Sequence, residues 1–201
     1  MGLFTIPLYF DYKSAYSHLA RAEAYRLEDD YHVQLEWLPY VLDIPAALGD
    51  VETRTEMEWR KVRYSYLDAR RWANTRGLLV RGPQKIFDSS LACMGGLYAM
   101  RQENFRPYHD AVFDRFWKRK LDIEDRQVMA ALCAEVGLDG VGFLAYVKED
   151  GPRELAAVRD RADEDKVFGV PMFFVRGEPF WGNDRIDWVR KRLDELELRR
   201  R

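Results

Sequence analysis

Residues 5–39, TIPLYFDYKSAYSHLARAEAYRLEDDYHVQLEWLP, decide the fold class of this chain. Thr5 to Phe10 has the composition of a short strand, with Pro7 expected near its start because proline cannot donate to a central ladder. Ala15 to Leu27 follows the 3.6-residue period of a helix, and Val33 to Trp37 alternates apolar with polar residues. A strand, a helix and a second strand in this order predict a βαβ unit with parallel strands and a right-handed crossover.

The pattern changes after this unit. From about Leu42 to Gly151 every periodic segment is helical, and strand-like residues return only at Met172–Val175 and Pro179–Trp181, around a turn that contains glycine. A closing amphipathic helix starts at about Ile186. The sequence therefore predicts an α/β, thioredoxin-like fold (βαβ–ββα) interrupted by an inserted all-helical domain. The thioredoxin-like domain is expected at residues 1–41 and 152–201, and the inserted helical domain at residues 42–151.

Several helix ends can be recognised in the helical part. Trp59 to Ala73 steps at three and four residues, and Gly77 suits the position just after that helix. Asp122 is expected to cap a later helix that includes Val128. Pro152 suits the first turn of the helix that leads back to the second half of the sheet.

Composition excludes several classes of protein. The chain has 201 residues, of which 47% are hydrophobic and 33% charged, so it is neither disordered nor collagen-like nor a disulfide mini-protein. Lys and Arg total 32 against 34 Asp and Glu, giving a net charge of −2. A nucleic-acid partner is not expected, because duplex-binding domains carry a basic excess.

The same sequence gives no sign of secretion, membrane insertion or metal binding. The first twenty residues lack a cationic segment followed by an apolar one, and no apolar run approaches the roughly 20 residues that cross a bilayer. Cys93 and Cys133 each lie in an apolar helical pattern, so we expect buried, reduced thiols. The three histidines have no ligand spacing. We expect a cytoplasmic protein without metal and without a membrane partner.

The junction between the first strand and the first helix is one candidate site. Phe10 to Ser17 lies where α/β sheets favour ligands, and a helix N-terminus there offers unpaired N–H groups to an anion. The Ser14 hydroxyl could donate to such an anion. Position alone favours a helix N-cap, one of the commonest roles of serine.

Two further candidates lie near the end of the chain. Gly169 to Pro171 precedes an apolar strand, which fits either a cis proline at a turn or a trans proline that starts an edge strand. Phe180 to Arg185 precedes the last helix, so Asn183 or Asp184 could cap that helix.

Taken together, these segments resemble the 2-hydroxychromene-2-carboxylate isomerases. Residues 11–20, DYKSAYSHLA, resemble the D-F-x-S-P-Y-x-Y-L-A opening of that family. Residues 61–73 resemble its K-x-x-Y-x-x-x-D-x-x-R-W-A helix, and residues 168–171 with 180–185 are similar to its G-V-P…F-W-G-x-D-R ending. The resemblance spans nearly the whole chain. It implies the DsbA-like thioredoxin superfamily, which includes kappa-class glutathione transferases and has a thioredoxin fold with inserted helices.

The resemblance implies roles for individual residues. Ser14 matches the serine that faces the glutathione sulfur, and with Ser17 it occupies the positions of the C-x-x-C cysteines of redox relatives. Without that thiol pair, dithiol–disulfide exchange at this motif is excluded. On spacing alone, the segment from Lys61 to Arg71 is typical of a solvated helix face. The resemblance instead implies that glutathione or its surroundings are contacted by Val170, Pro171, Asn183, Asp184, Lys61 and Tyr64.

The implied activity is that of a glutathione-dependent isomerase of an aromatic or conjugated carboxylate or ketone. In such enzymes glutathione adds to a conjugated enone, a bond rotates, and glutathione leaves. The residue types fit, because a free thiol has a pKa of about 8.5 and a hydroxyl at a helix N-terminus favours the thiolate. A kappa-type glutathione transferase and a non-catalytic thioredoxin-fold binding protein are the alternatives. The family also implies a homodimer.

The sequence departs from the family pattern at three places. Ala15 replaces the usual proline, His18 replaces the usual tyrosine, and residues 88–91 do not match the asparagine-led helix start of the insert. The substrate side of the pocket is therefore less well defined by the resemblance than the glutathione side.

Overall fold

The computed structural model describes residues 2–200. The strands are β1 (Phe4–Phe10), β2 (Val33–Pro39), β3 (Met172–Val175) and β4 (Glu178–Trp181). The helices are α1 (Ala15–Asp30), α2 (Ile44–Leu48), α3 (Glu56–Thr75), α4 (Ser90–Arg101), α5 (Phe105–Trp117), α6 (Arg126–Glu135), α7 (Gly140–Tyr146), α8 (Asp150–Glu164) and α9 (Ile186–Glu195). In the described part of the chain, every helix is too short or too polar to traverse a bilayer.

The sheet confirms the predicted thioredoxin-like topology. Its strand order is β2-β1-β3-β4, with β1 parallel to β2 and β3 antiparallel to both β1 and β4. Arg176 and Gly177, at φ 52° and 79°, form the turn between β3 and β4, where two residues at positive φ suit a tight hairpin. The long connection between β2 and β3 is helical, as predicted. The first turn of α8 crosses the predicted domain boundary between residues 151 and 152.

Each face of the sheet is covered by helices. Ile6 and Leu8 belong to a core that extends into α1, α9 and the inserted helices. Tyr9 and Met172 point to the opposite face, where they pack with Ala162 of α8. Burial on both faces explains why β1 is apolar along most of its length.

Two local predictions were wrong. Asp122 does not cap α6, because the cap is Asp125, whose carboxylate accepts the Gln127 and Val128 N–H groups. Pro7 lies in the middle of β1 instead of near its start. The strand tolerates it because pairing with β3 begins only at Leu8, so the missing N–H interrupts no ladder on that side.

Candidate active site

Ser14 lies where β1 passes into α1, and its side chain is buried and makes two hydrogen bonds. Its Oγ accepts the Ser17 N–H at 3.2 Å, which confirms the capping role, and donates to the Val170 carbonyl oxygen at 3.3 Å. A hydroxyl has one hydrogen, so Ser14 can donate either to Val170 or to a ligand anion. The neighbouring N–H groups in the first turn of α1 have no intrahelical partner. This junction can therefore stabilise a negative charge.

The Val170–Pro171 peptide bond is cis, one of the two alternatives that the Gly-x-Pro motif left open. The Ser14 contact brings this loop against the start of α1, although the two residues are far apart in sequence. Among the described residues, the Val170 N–H donates no hydrogen bond. An extended peptide-like ligand could pair with this edge, because its backbone groups are not committed to a strand.

A cavity of about 260 Å³, here called the small cavity, opens beside this contact. Gly182 supports its wall at φ 120°, where a Cβ would lie 2.5 Å from the Asp184 carboxylate. The residues that line the small cavity are Tyr16, Asp68, Trp72, Val170, Trp181, Gly182, Asn183, Asp184 and Arg185.

Asn183 is the unusual residue of the small cavity. It is 3% exposed, and its side-chain Nδ2 has no hydrogen-bond partner among the described residues. Leaving a buried donor unpaired costs about 1–3 kcal/mol. The alternative role as a helix cap is wrong for both Asn183 and Asp184, since α9 is preceded by Arg185 with no side-chain cap bond. The Asp184 carboxylate instead pairs with Arg185 at 2.6 Å.

Helix α3 forms one wall of the small cavity through Asp68 and Trp72. The Tyr16 hydroxyl donates to the Asp68 carboxylate at 3.0 Å, and burial together with this carboxylate raises the pKa of Tyr16. Lys61 and Tyr64 share this helix face by their spacing but lie outside the cavity lining, both exposed to solvent. The structure thus brings Ser14, Val170, Pro171, Asn183 and Asp184 together, and leaves Lys61 and Tyr64 at the periphery.

The opposite face of α3 borders a second cavity of about 690 Å³, which sequence reasoning missed. Trp59, Tyr66 and Arg70 line it from α3, and Phe87 and Phe116 line it from the other side. Its cationic side chains, for which we call it the cationic cavity, are Lys13, Arg54, Arg63, Arg70, Lys85 and Arg119. The size and apolar walls are those of a ligand pocket.

Ser14 stands between the two cavities. The residue before it, Lys13, lines the cationic cavity, and Tyr16 lines the small cavity. Helix α3 separates the two spaces along its length, because it presents one face to each. A nucleophile held at Ser14 is therefore at the boundary of both cavities.

The cysteines play no part in this site. Both are free and buried, as predicted. Burial raises the pKa of the Cys93 thiol well above its usual range and that of Cys133 to about 12. Neither thiol is therefore poised to act as a nucleophile at neutral pH.

Glutathione fits the groups that the small cavity presents. Its peptide backbone matches the uncommitted N–H of Val170, and its polar ends match the unpaired Asn183 amide.

Comparison with known proteins gives a consistent result. A family profile described as DSBA-like thioredoxin domain matches residues 5–194. A 2-hydroxychromene-2-carboxylate isomerase from Sphingobium xenophagum is 30% identical over 193 residues, covering 94% of this chain and 97% of the relative. One from Pseudomonas putida is 26% identical and covers 95% of each chain. A solved structure of a 2-hydroxychromene-2-carboxylate isomerase gives a TM-score of 0.80 at 25% identity, covering 96% of each chain.

Proposed function

Because this chain belongs to the DSBA-like thioredoxin domain family, among relatives of the 2-hydroxychromene-2-carboxylate isomerases, we propose that it is a glutathione-dependent isomerase. Its substrate class is an aromatic or conjugated carboxylate or ketone. The observation that carries the proposal is the placement of Ser14 between two cavities of unlike chemistry. The small cavity suits a polar peptide, and the cationic cavity suits an anion with an apolar body.

Glutathione, when bound, supplies a thiol sulfur that can add reversibly to a conjugated double bond. The protein favours the thiolate in two ways. The Ser14 hydroxyl exchanges its 3.3 Å bond to the Val170 carbonyl for one to the sulfur, and the N-terminus of α1 adds a partial positive charge. A hydrogen bond to a charged group contributes about 1.5–3 kcal/mol, enough to lower the pKa of a thiol by one to two pH units.

The remaining residues hold the cofactor and separate it from the substrate. Val170, before Pro171, pairs with the cysteinyl part through its backbone, and Asn183 and Asp184 receive the γ-glutamyl end. Lys61 and Tyr64 contribute at the exposed margin of α3. At such an exposed position an ion pair contributes little to binding free energy. Lys61→Met should therefore raise the glutathione Kd, measured by calorimetry, less than about threefold.

The decisive assay supplies 2-hydroxychromene-2-carboxylate with and without glutathione. We expect isomerisation that saturates with glutathione, and full recovery of glutathione at the end of the reaction. A lasting glutathione conjugate would identify a transferase instead. No glutathione binding up to millimolar concentration would favour a binding protein, and equal turnover without glutathione would also contradict the proposal.

A further inference from the structure

The lining of the cationic cavity has an excess of positively charged side chains. Of the residues that the structure describes, six Lys and Arg side chains and no Asp or Glu line it. Several of these cations are already engaged. Arg63 pairs with Glu56 and Lys85 with Glu124, and the guanidinium of Arg119 donates to the Gly82 carbonyl.

Lys13 differs from the other cations by its burial. Its side chain is 8% exposed, whereas Arg70, which has no ion pair among the described residues, is exposed to solvent. The Lys13 ammonium lies 3.9 Å from the Asp11 carboxylate, beyond hydrogen-bond distance, and donates no hydrogen bond within the described residues. An ammonium has three donors, and the Lys13 ammonium is not one of the fully buried polar atoms of the described residues, so it reaches the open space of the cavity.

Asp11 compensates the charge of Lys13 without satisfying its hydrogen bonds. The Asp11 carboxylate is fully buried and accepts the Lys13 N–H at 3.1 Å and the Leu42 N–H at 2.8 Å. These backbone bonds fix the carboxylate in place beside the β1–α1 junction. The Lys13 ammonium is thereby held at the cavity wall with its donors available to a ligand.

We propose that Lys13 is the residue that binds the anionic group of the substrate in the cationic cavity and so determines specificity for a carboxylate. This inference rests on the proposed function, because it assigns the substrate to the cationic cavity and glutathione to the small one. Lys13 precedes Ser14 directly, so an anion held by Lys13 keeps the substrate next to the nucleophile. Apolar side chains such as Trp59, Tyr66 and Phe116 surround the rest of the molecule.

The test measures binding of 2-naphthoate and of its neutral analogue 2-naphthamide by calorimetry. Lys13→Met should weaken naphthoate binding at least about tenfold and leave naphthamide binding unchanged, because a charge-assisted hydrogen bond is lost. Lys13→Arg should stay within about threefold of wild type. Lys148→Met, which removes an exposed lysine outside the cavity, is the matched control.

A second variant guards against misfolding, since Lys13→Met leaves the Asp11 carboxylate uncompensated. The double variant Asp11→Asn, Lys13→Met keeps the buried site neutral and should show the same selective loss with a cooperative thermal transition. Equal loss for both naphthalene compounds would reduce Lys13 to a packing role. A tenfold loss of naphthoate affinity in Arg70→Met but not in Lys13→Met would assign the anion site to Arg70. If wild type did not bind naphthoate, the cavity would contain no such anion site.

The inference and the proposed function can fail separately. If wild type isomerises 2-hydroxychromene-2-carboxylate with glutathione but Lys13→Met keeps its naphthoate affinity, the Lys13 assignment fails alone. If Lys13→Met loses naphthoate selectively but wild type turns over without glutathione, the cofactor proposal fails alone. A raised pKa of the bound glutathione thiol in Lys13→Met, with naphthoate affinity intact, would assign Lys13 to the cofactor.

Discussion

The two faces of α3 border cavities that differ in size, charge and polarity. On one face, Asp68 and Trp72 close a cavity of about 260 Å³ whose other groups include a buried, unpaired amide and uncommitted backbone. On the other, Trp59 and Arg70 border a cavity of about 690 Å³ lined with aromatic rings and cations. A single helix can thus keep two unlike molecules apart, and the start of α1 is where they can meet.

The largest expected effect comes from Ser14, which lies between Lys13 at the cationic cavity and Tyr16 at the small cavity. Ser14→Ala should lower turnover about ten- to a hundredfold, because one hydrogen bond to a charged group contributes roughly 1.5–3 kcal/mol. Loss of the helix cap should reduce the free energy of unfolding by only about 1 kcal/mol. Steady-state kinetics and a denaturant melt separate the two effects. Wild-type turnover in the variant would mean that Ser14 is a cap and nothing more.

A smaller effect is expected when only the small cavity is changed. Asn183→Leu removes an amide whose Nδ2 has no partner within the described part of the chain, so stability should hold while the glutathione Kd rises about two- to tenfold. The substrate KM at saturating glutathione should not change. Asn74→Leu, at an exposed position on α3, provides the control. If Asn183→Leu raised the substrate KM and spared glutathione, the assignment of the two cavities would be reversed.

Acid should destabilise the fold that forms both cavities, because it protonates a histidine that is buried in the core. His18 is buried against Trp117, and burial lowers the pKa of His18 to about 3, below the unfolded value of 6.5. The unfolded chain therefore takes up this proton first, and the folded state loses stability as the pH falls from 6.5 towards 3, at up to about 1.4 kcal/mol per pH unit.

His18→Phe should remove this contribution and flatten the decline in unfolding free energy between pH 6.5 and 4.5. His109 is also buried, with its pKa lowered well below the usual value, but it is present in both proteins. Because a charge on His18 also lowers the pKa of His109, the difference between wild type and variant reports His18 together with its effect on His109. If the unfolding free energies from urea melts fell in parallel with pH in the two proteins, folding would leave the pKa of His18 unchanged, contrary to this expectation.

The cysteines should have the smallest effect on activity. Both thiols are buried outside the two cavities, with pKa values raised by that burial. We expect the double variant Cys93→Ala, Cys133→Ala to keep wild-type kcat and KM, with some loss of stability from the cavities left behind. Activity below a tenth of normal in a folded variant would show that one of these thiols takes part in the reaction.

The sequence predicted the site residues whose roles depend on their neighbours in the chain. Ser14 follows β1 directly, so its place at a helix N-terminus could be recognised from neighbouring residues alone. The Gly-x-Pro motif suggested a cis bond at Pro171, but it also fitted a trans proline at the start of an edge strand. Asn183 and Asp184 also resembled helix caps, and only the backbone at Arg185 excludes that role.

The cationic cavity could not be predicted, because its residues come from distant parts of the chain. Lys13, Arg54 and Arg119 look like ordinary surface charges until α3 packs beside the segment at residues 82–87. One signal was available: Arg63 and Arg70 are seven residues apart and therefore share a helix face. Such spacing is equally typical of a solvated face, so the meaning of these charges depends on tertiary structure.

The central claim is that Ser14 and the start of α1 stabilise a thiolate at the boundary of the two cavities. The most direct measurement is the ultraviolet absorbance of the bound glutathione thiolate as a function of pH, in wild type and in Ser14→Ala. We expect a bound thiol that titrates one to two pH units below about 8.5 in wild type, and closer to that value in the variant. Titration of the bound thiol at the same pH in both proteins would contradict it.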